Sequence, residues 1–138
     1  MTEVAALQLS GIGKVFASLP VLKDIDLSVS KGEIICLVGR SGCGKSTLLR
    51  IIAGVETPDA GSVHMKGIEI AGPSRFVEPE KRRIGFVFQD YALFPHLTVE
   101  QNVAFGLKGM PRKEARARTA EMLEHVRLSD LAKRYPHT

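Results

Sequence analysis

An α/β fold is what this sequence predicts, and three adjacent observations predict it. The stretch Gly39-Arg40-Ser41-Gly42-Cys43-Gly44-Lys45-Ser46-Thr47 satisfies the pattern G-x-x-x-x-G-K-[ST]. The apolar run Ile34-Ile35-Cys36-Leu37-Val38 ends at Gly39 and reads as a strand. Lys45 to Ala53 then reads as a helix closed by Gly54. A chance glycine-rich turn would explain the loop alone, but not a loop set between a matching strand and helix.

The residue types in the loop fit one job, holding a polyphosphate. Glycines at 39, 42 and 44 let the backbone curl until successive N–H groups point inward at an anion. Arg40, Ser41 and Cys43 complete the cradle through their backbone. The helix that starts near Gly44 adds unpaired N–H groups and the positive end of its dipole. Lys45 is expected to reach the β- and γ-phosphates, and the Ser46 hydroxyl to ligate a Mg²⁺ shared with them. Thr47 contributes its N–H, and its hydroxyl is in reach of the α-phosphate.

The remaining elements follow in order. Ala6 to Phe16 and Val21 to Ser30 read as β segments around a turn at Ser18-Leu19-Pro20, and Lys31-Gly32 turns into the strand before the loop. Thr57 to Gly61 reads as a turn, followed by a short hairpin of Ser62 to Lys66 and Ile68 to Ile70 through Gly67. Ile84 to Phe88 is expected to be another strand. Thr98 to Leu107 suits a short helix opened by a Thr98-x-x-Gln101 capping box, and Pro111 to Val126 a longer one. In that second helix Ala115, Thr119, Met122, Leu123 and Val126 share a face and are expected in the core, while Ser129 is expected to cap a last turn.

Composition narrows the function classes. The 138 residues make at most one domain, and the net charge of +4 is spread along the chain. One basic concentration, Arg112, Lys113, Arg116 and Arg118, is interleaved with Glu114, Glu121 and Glu124 and has no aromatic company, so a solvated helix face explains it and no nucleic-acid partner is expected. Cys36 and Cys43 have no disulfide framework around them and fit a reducing compartment. His64, His96, His125 and His137 lack ligand spacing, so no zinc site is expected. No apolar run approaches the about 20 residues that span a bilayer, and Met1-Thr2-Glu3-Val4 lacks signal-peptide character, which places the chain in the cytoplasm.

With these motifs in hand, the sequence resembles the ATP-binding subunits of ABC transporters across essentially its whole length. Besides the loop, the resemblance rests on Lys31-Gly32-Glu33, on Ala53-Gly54 followed by Pro58-Asp59-Ala60-Gly61-Ser62, and on Arg83-Ile84-Gly85-Phe86-Val87-Phe88-Gln89. Tyr91 to Val99 and Asn102-Val103 resemble importers that work with a solute-binding protein, such as those for ferric iron, spermidine/putrescine, sulfate and sugars, with a lean toward ferric iron. The resemblance implies a P-loop NTPase core with an antiparallel β subdomain. It implies that Gln89 serves the metal and attacking water and that Phe16, where relatives more often carry Tyr, stacks on adenine. It also implies that the Tyr91–Thr98 segment docks on transmembrane permease subunits. A second ATPase subunit, as a homodimer, and indirectly a periplasmic or extracellular solute-binding protein complete the expected assembly on the inner face of the membrane.

The same resemblance expects further motifs beyond Thr138: a Leu-Ser-Gly-Gly-Gln signature, an apolar strand ending in Asp-Glu, and a later His. Leu9-Ser10-Gly11-Ile12-Gly13 mimics the signature but lies in the opening β region, where it reads as coincidence. Residues 1–138 are therefore expected to be the N-terminal part of a MgATP-hydrolysing domain, unable to hydrolyse ATP unaided, with the strand before the loop left unpaired. The other class is a short non-hydrolytic module that binds nucleotide and competes for transporter partners.

Overall fold

The computed structural model describes residues 4–138, which form two compact units, residues 4–86 and 87–138. In the first, strands β1 (Leu7–Phe16), β2 (Leu19–Val29), β3 (Ala60–Met65) and β4 (Ile68–Ala71) make a four-stranded antiparallel sheet in the order β2-β1-β3-β4. The β1–β2 turn falls on Ala17 and Ser18, both at positive φ, and not on Ser18-Leu19-Pro20. Two left-handed residues give the turn a twist that matches the strands, so Leu19 and Pro20 pair with Phe16 and Val15 instead. Pro20 is tolerated because β2 is an edge strand. The β3–β4 turn at Lys66-Gly67 is where the sequence puts it, although β3 begins at Ala60, earlier than expected.

Strict alternation would turn Leu9 and Ile12 to opposite faces, yet both are buried. A bulge resolves this: Leu9 pairs with Leu27 and Ile12 with Ile25, so β1 carries one extra residue. The Gly11 N–H within that bulge donates to the Asp26 carboxylate at 2.8 Å. The run that resembles a signature is thus a bulge that keeps two large side chains in the core.

Helix α1 (Lys45–Ala53) lays Leu48 and Ile51 on Leu9, Ile12, Leu22, Val63, Ile70 and Ala71. Its C-terminal end is closed by Arg82, only 2% exposed. The guanidinium donates through Nη1 to Ile51 O (2.8 Å) and Ile52 O (3.0 Å) and through Nε to Val77 O (2.7 Å). It lies 4.9 Å from the Phe76 ring centroid. A cation is favoured at a helix C-terminus. A side chain at Gly54, which stands at φ +85, would collide with this guanidinium.

Two expected strands are not strands. Ile34–Val38 joins no ladder among the described residues, and Ile34 and Val38 are 94% and 90% exposed. Ile84–Phe88 is likewise irregular, with Val87 exposed. An apolar run becomes a strand only beside another strand, and β2 and β4 form the two edges of the sheet.

In the second unit α2 (Val99–Ala104) opens with the full Thr98/Gln101 capping box and passes into a 3-10 turn, Phe105–Leu107. Its first N–H groups, Val99 and Glu100, donate to Arg134 O and Ala132 O. Helix α3 (Arg112–His125) starts one residue after the expected Pro111 and buries Thr119 and Leu123. Val126 is exposed, not core, because the helix has ended at His125. Ser129 makes no side-chain cap; Leu128 precedes the 3-10 turn Ser129–Leu131, and Ser129 is its first residue.

Arg82→Met should strand the carbonyls of Ile51, Ile52 and Val77 and lower stability by about 2–4 kcal/mol, whereas Arg83→Met should stay within about 0.5 kcal/mol. Urea unfolding of the two variants side by side measures the difference, and equal midpoints would contradict the assignment.

Candidate phosphate-binding site

The loop at residues 39–47 rests directly on β2. Gly44 is the N-cap of α1 at φ 98°, and a Cβ there would lie 2.7 Å from Leu22 Cδ2 and 2.9 Å from Val21 O. Only glycine permits both the left-handed backbone and this approach. The first helical bond, Leu48 N to Gly44 O, is 2.9 Å. The first turn of α1 has neither an acidic residue nor a side-chain cap, so its donors and its dipole face outward uncompensated.

Lys45 folds back over its own loop. Its ammonium donates to Gly39 O (2.8 Å), Arg40 O (2.7 Å) and Cys43 Sγ (3.3 Å). An incoming phosphate offers this ammonium charged oxygens in place of neutral carbonyls, and charge-assisted bonds are roughly twice as strong. Gly39, Arg40, Ser41, Gly42 and Cys43 are exposed, Gly44 is buried, and Thr47 is half-buried. The exposed Ser46 hydroxyl stands in the first turn and makes no hydrogen bond among the described residues. One hydroxyl oxygen beside open N–H donors suits a hard cation that arrives with phosphate oxygens, which is the fit Mg²⁺ requires. Gln89 belongs to the second unit, where it is exposed in the turn after Phe88.

Phe16 ends β1 and is 42% exposed. Register relates it to the loop, since Leu22, against which Gly44 packs, pairs with Lys14. Two residues of strand, about 7 Å, separate that rung from Phe16. Lys14 itself, 6% exposed, donates to Thr57 O (2.8 Å) and pairs with Glu56 (2.8 Å) and Asp59 (3.3 Å). Its pKa is raised above 10.5, chiefly by the Glu56 hydrogen bond. That bond holds Glu56 below 4.5, and the Val15 N–H foremost holds Asp59 below 3.8.

Sequence reading assigned Lys14 and Arg82 no role, and Asn102 only a place in the importer resemblance. Asn102 accepts from Phe94 N–H (2.9 Å) and donates to Phe94 O, Leu97 O and Thr98 O. It thereby pins the Tyr91–Thr98 segment to α2. There Tyr91, Leu93 and Phe94 are exposed, Leu97 is half-buried, and Phe94 packs on Phe105 with centroids 4.3 Å apart. A signal existed for two of the three: Lys14 shares a strand face with Phe16, and Asn102 lies one helical turn from Thr98.

Residues 22–138 match the family model for ABC transporters. The chain is 46% identical over 136 residues to the sulfate/thiosulfate import ATP-binding protein CysA of Synechococcus elongatus, covering 97% of this chain and 38% of that protein. It is 46% identical over 133 residues to the putrescine transport ATP-binding protein PotG of Escherichia coli, covering 95% and 34%. Among solved structures, a dimeric bacterial ABC transporter cassette superposes with TM-score 0.82 at 31% identity, over 95% of this chain and 62% of that one. A dimeric post-hydrolysis cassette bound to ADP and phosphate gives 0.79 at 31% identity, with the same coverage. The chain thus spans well under half the length of the curated relatives it matches.

The Lys14 cluster has a defined pH signature. The lowered carboxylates contribute stability above their ordinary values that is lost as pH falls through the lowered ones; raised Lys14 contributes below 10.5 and loses it as pH rises past its folded value. The thermal midpoint should therefore be level from about pH 6 to 9 and fall below about pH 4, less steeply in Lys14→Met. Parallel acid limbs in the two proteins would refute the coupling.

Proposed function

Because the chain belongs to the ABC transporter family, we propose that it binds MgATP at residues 39–47 and forms part of the ATPase subunit of a solute importer. The observation that carries this reading is the open N-terminus of α1 with Lys45 over it: donors without an acidic competitor, and a cation held by exchangeable carbonyls. Lys45 and the loop backbone bind the triphosphate, Ser46 holds Mg²⁺, and Phe16 stacks on adenine. Bound Mg²⁺ would neutralise phosphate charge during transfer. Gln89 takes the role of sensing the metal site and attacking water. A Gln amide suits this because it both donates and accepts, so it can change partners between nucleotide states.

The rest of the machine lies with partners. Exposed Tyr91, Leu93 and Phe94, on a segment held in shape by Asn102, suit docking to transmembrane permease subunits. A homodimer is supported by the dimeric cassettes that superpose on this chain. An external solute-binding protein would act through the permeases. Among the described residues no helix is long and apolar enough to cross a membrane, which fits a peripheral place on the inner face. The relatives' names point to sulfate/thiosulfate and polyamines, and neither CysA nor PotG supports the lean toward ferric iron. A short non-hydrolytic competitor is the other reading of the same loop.

Lys45→Ala in the intact protein should abolish ATP turnover and solute uptake while leaving the fold unchanged by circular dichroism. Retained turnover would sink the phosphate assignment. Cys43, exposed and in contact with the Lys45 ammonium, should be alkylated by a maleimide more slowly when MgATP is bound. Labelling rates unmoved by MgATP would count against the same site.

A further inference from the structure

We infer that Lys14 is a positioning residue for the nucleotide base: it fixes the Phe16 ring from behind and ties it to the helix that carries the phosphate loop. The inference rests on the MgATP reading and on Phe16 as the stacking platform. Phe16 is the last residue of β1, next to the Ala17-Ser18 turn, where strand ends ordinarily fray. Its ring is nevertheless covered on one side, because the Lys14 ammonium lies 5.1 Å from its centroid. Phe16 as a residue stays 42% exposed, which leaves surface for a base.

Lys14 cannot yield easily. Glu56, Thr57 and Asp59, which hold its ammonium, all lie in the connection that leaves α1. Asp59 also clamps the backbone on either side of it, with Asp59 N donating to Gly13 O (2.9 Å) and Val15 N donating to Asp59 Oδ2 (2.7 Å). Helix α1 therefore presents the phosphate loop at one end and, through this turn, sets the base platform from the other. The spacing between ring and loop is then a property of one rigid body. Preorganisation of this kind removes an ordering cost from binding.

The test is isothermal titration of the intact protein with MgATP and, separately, with magnesium tripolyphosphate, which lacks a base. Lys14→Met should weaken MgATP about fivefold, leave tripolyphosphate within about twofold, and have no further effect in a Phe16→Leu background. Equal losses for both ligands would overturn the proposal by making Lys14 a mere prop for the loop, and so would a loss that persists in Phe16→Leu. Should Lys14→Met fail to fold, Glu56→Gln removes the shorter ion pair and leaves two partners. It should weaken MgATP about twofold with tripolyphosphate unchanged, and an unchanged MgATP affinity would overturn the proposal. Failure of the underlying reading looks different. Lys45→Ala binding both ligands normally, or Phe16→Leu binding MgATP normally, would remove the site or the platform and this proposal with it.

Discussion

The guanidinium of Arg82 satisfies the C-terminal carbonyls of α1 and joins that end to the segment after β4 through Val77 O. Burial pushes its pKa down, yet it stays a cation at neutral pH because an arginine has so far to fall. One of its nitrogens, Nη2, is buried without a hydrogen-bond partner among the described residues, a penalty outweighed by three carbonyl bonds, two of them at a dipole's negative end. Gly54 is the backbone concession that makes room for it. Helix α1 is therefore seated by packing along its length and by charge at one end.

The contrast with the other end is what makes a site. The N-terminus of α1 has no acidic residue and no capping side chain, and its approach to β2 is so tight that Gly44 can be nothing larger. A helix closed at one end and open at the other is a fixed dipole with a reserved position for an anion. The Lys45 ammonium is held by the loop's own Gly39 and Arg40 carbonyls, bonds that charged oxygens can replace. Stability is concentrated at the Arg82 end and exchangeable hydrogen bonds at the Lys45 end, and the Lys14 cluster connects the helix to the strand that carries Phe16.

Large apolar side chains stay in water in both units: Ile34 and Val38 before the loop, Val87, Tyr91 and Leu93 after residue 86. The four-stranded sheet buries Leu9, Ile12, Val63 and Ile70 without using any of these residues. The first unit's core is centred on the antiparallel sheet and α1, and the two segments expected to be strands reach it only through Leu37 and Ile84, which pack against it half-buried.

The sequence by itself determined the loop's turn into α1, because glycines at that spacing answer to local backbone geometry. It determined α1 and its stop at Gly54, the Thr98 capping box, and the Lys66-Gly67 turn for the same reason: each is decided within a few residues. Tertiary structure alone decided the rest. Whether Ile34–Val38 is a strand depends on a neighbour, the bulge at Gly11 depends on the register of β2, and β2 starts two residues earlier than expected because the left-handed Ala17-Ser18 pair carries no glycine to announce the turn. Arg82 and Lys14 look in sequence like surface charges; they are buried because carbonyls and carboxylates distant in the chain converge on them, and such convergence is a property of the fold.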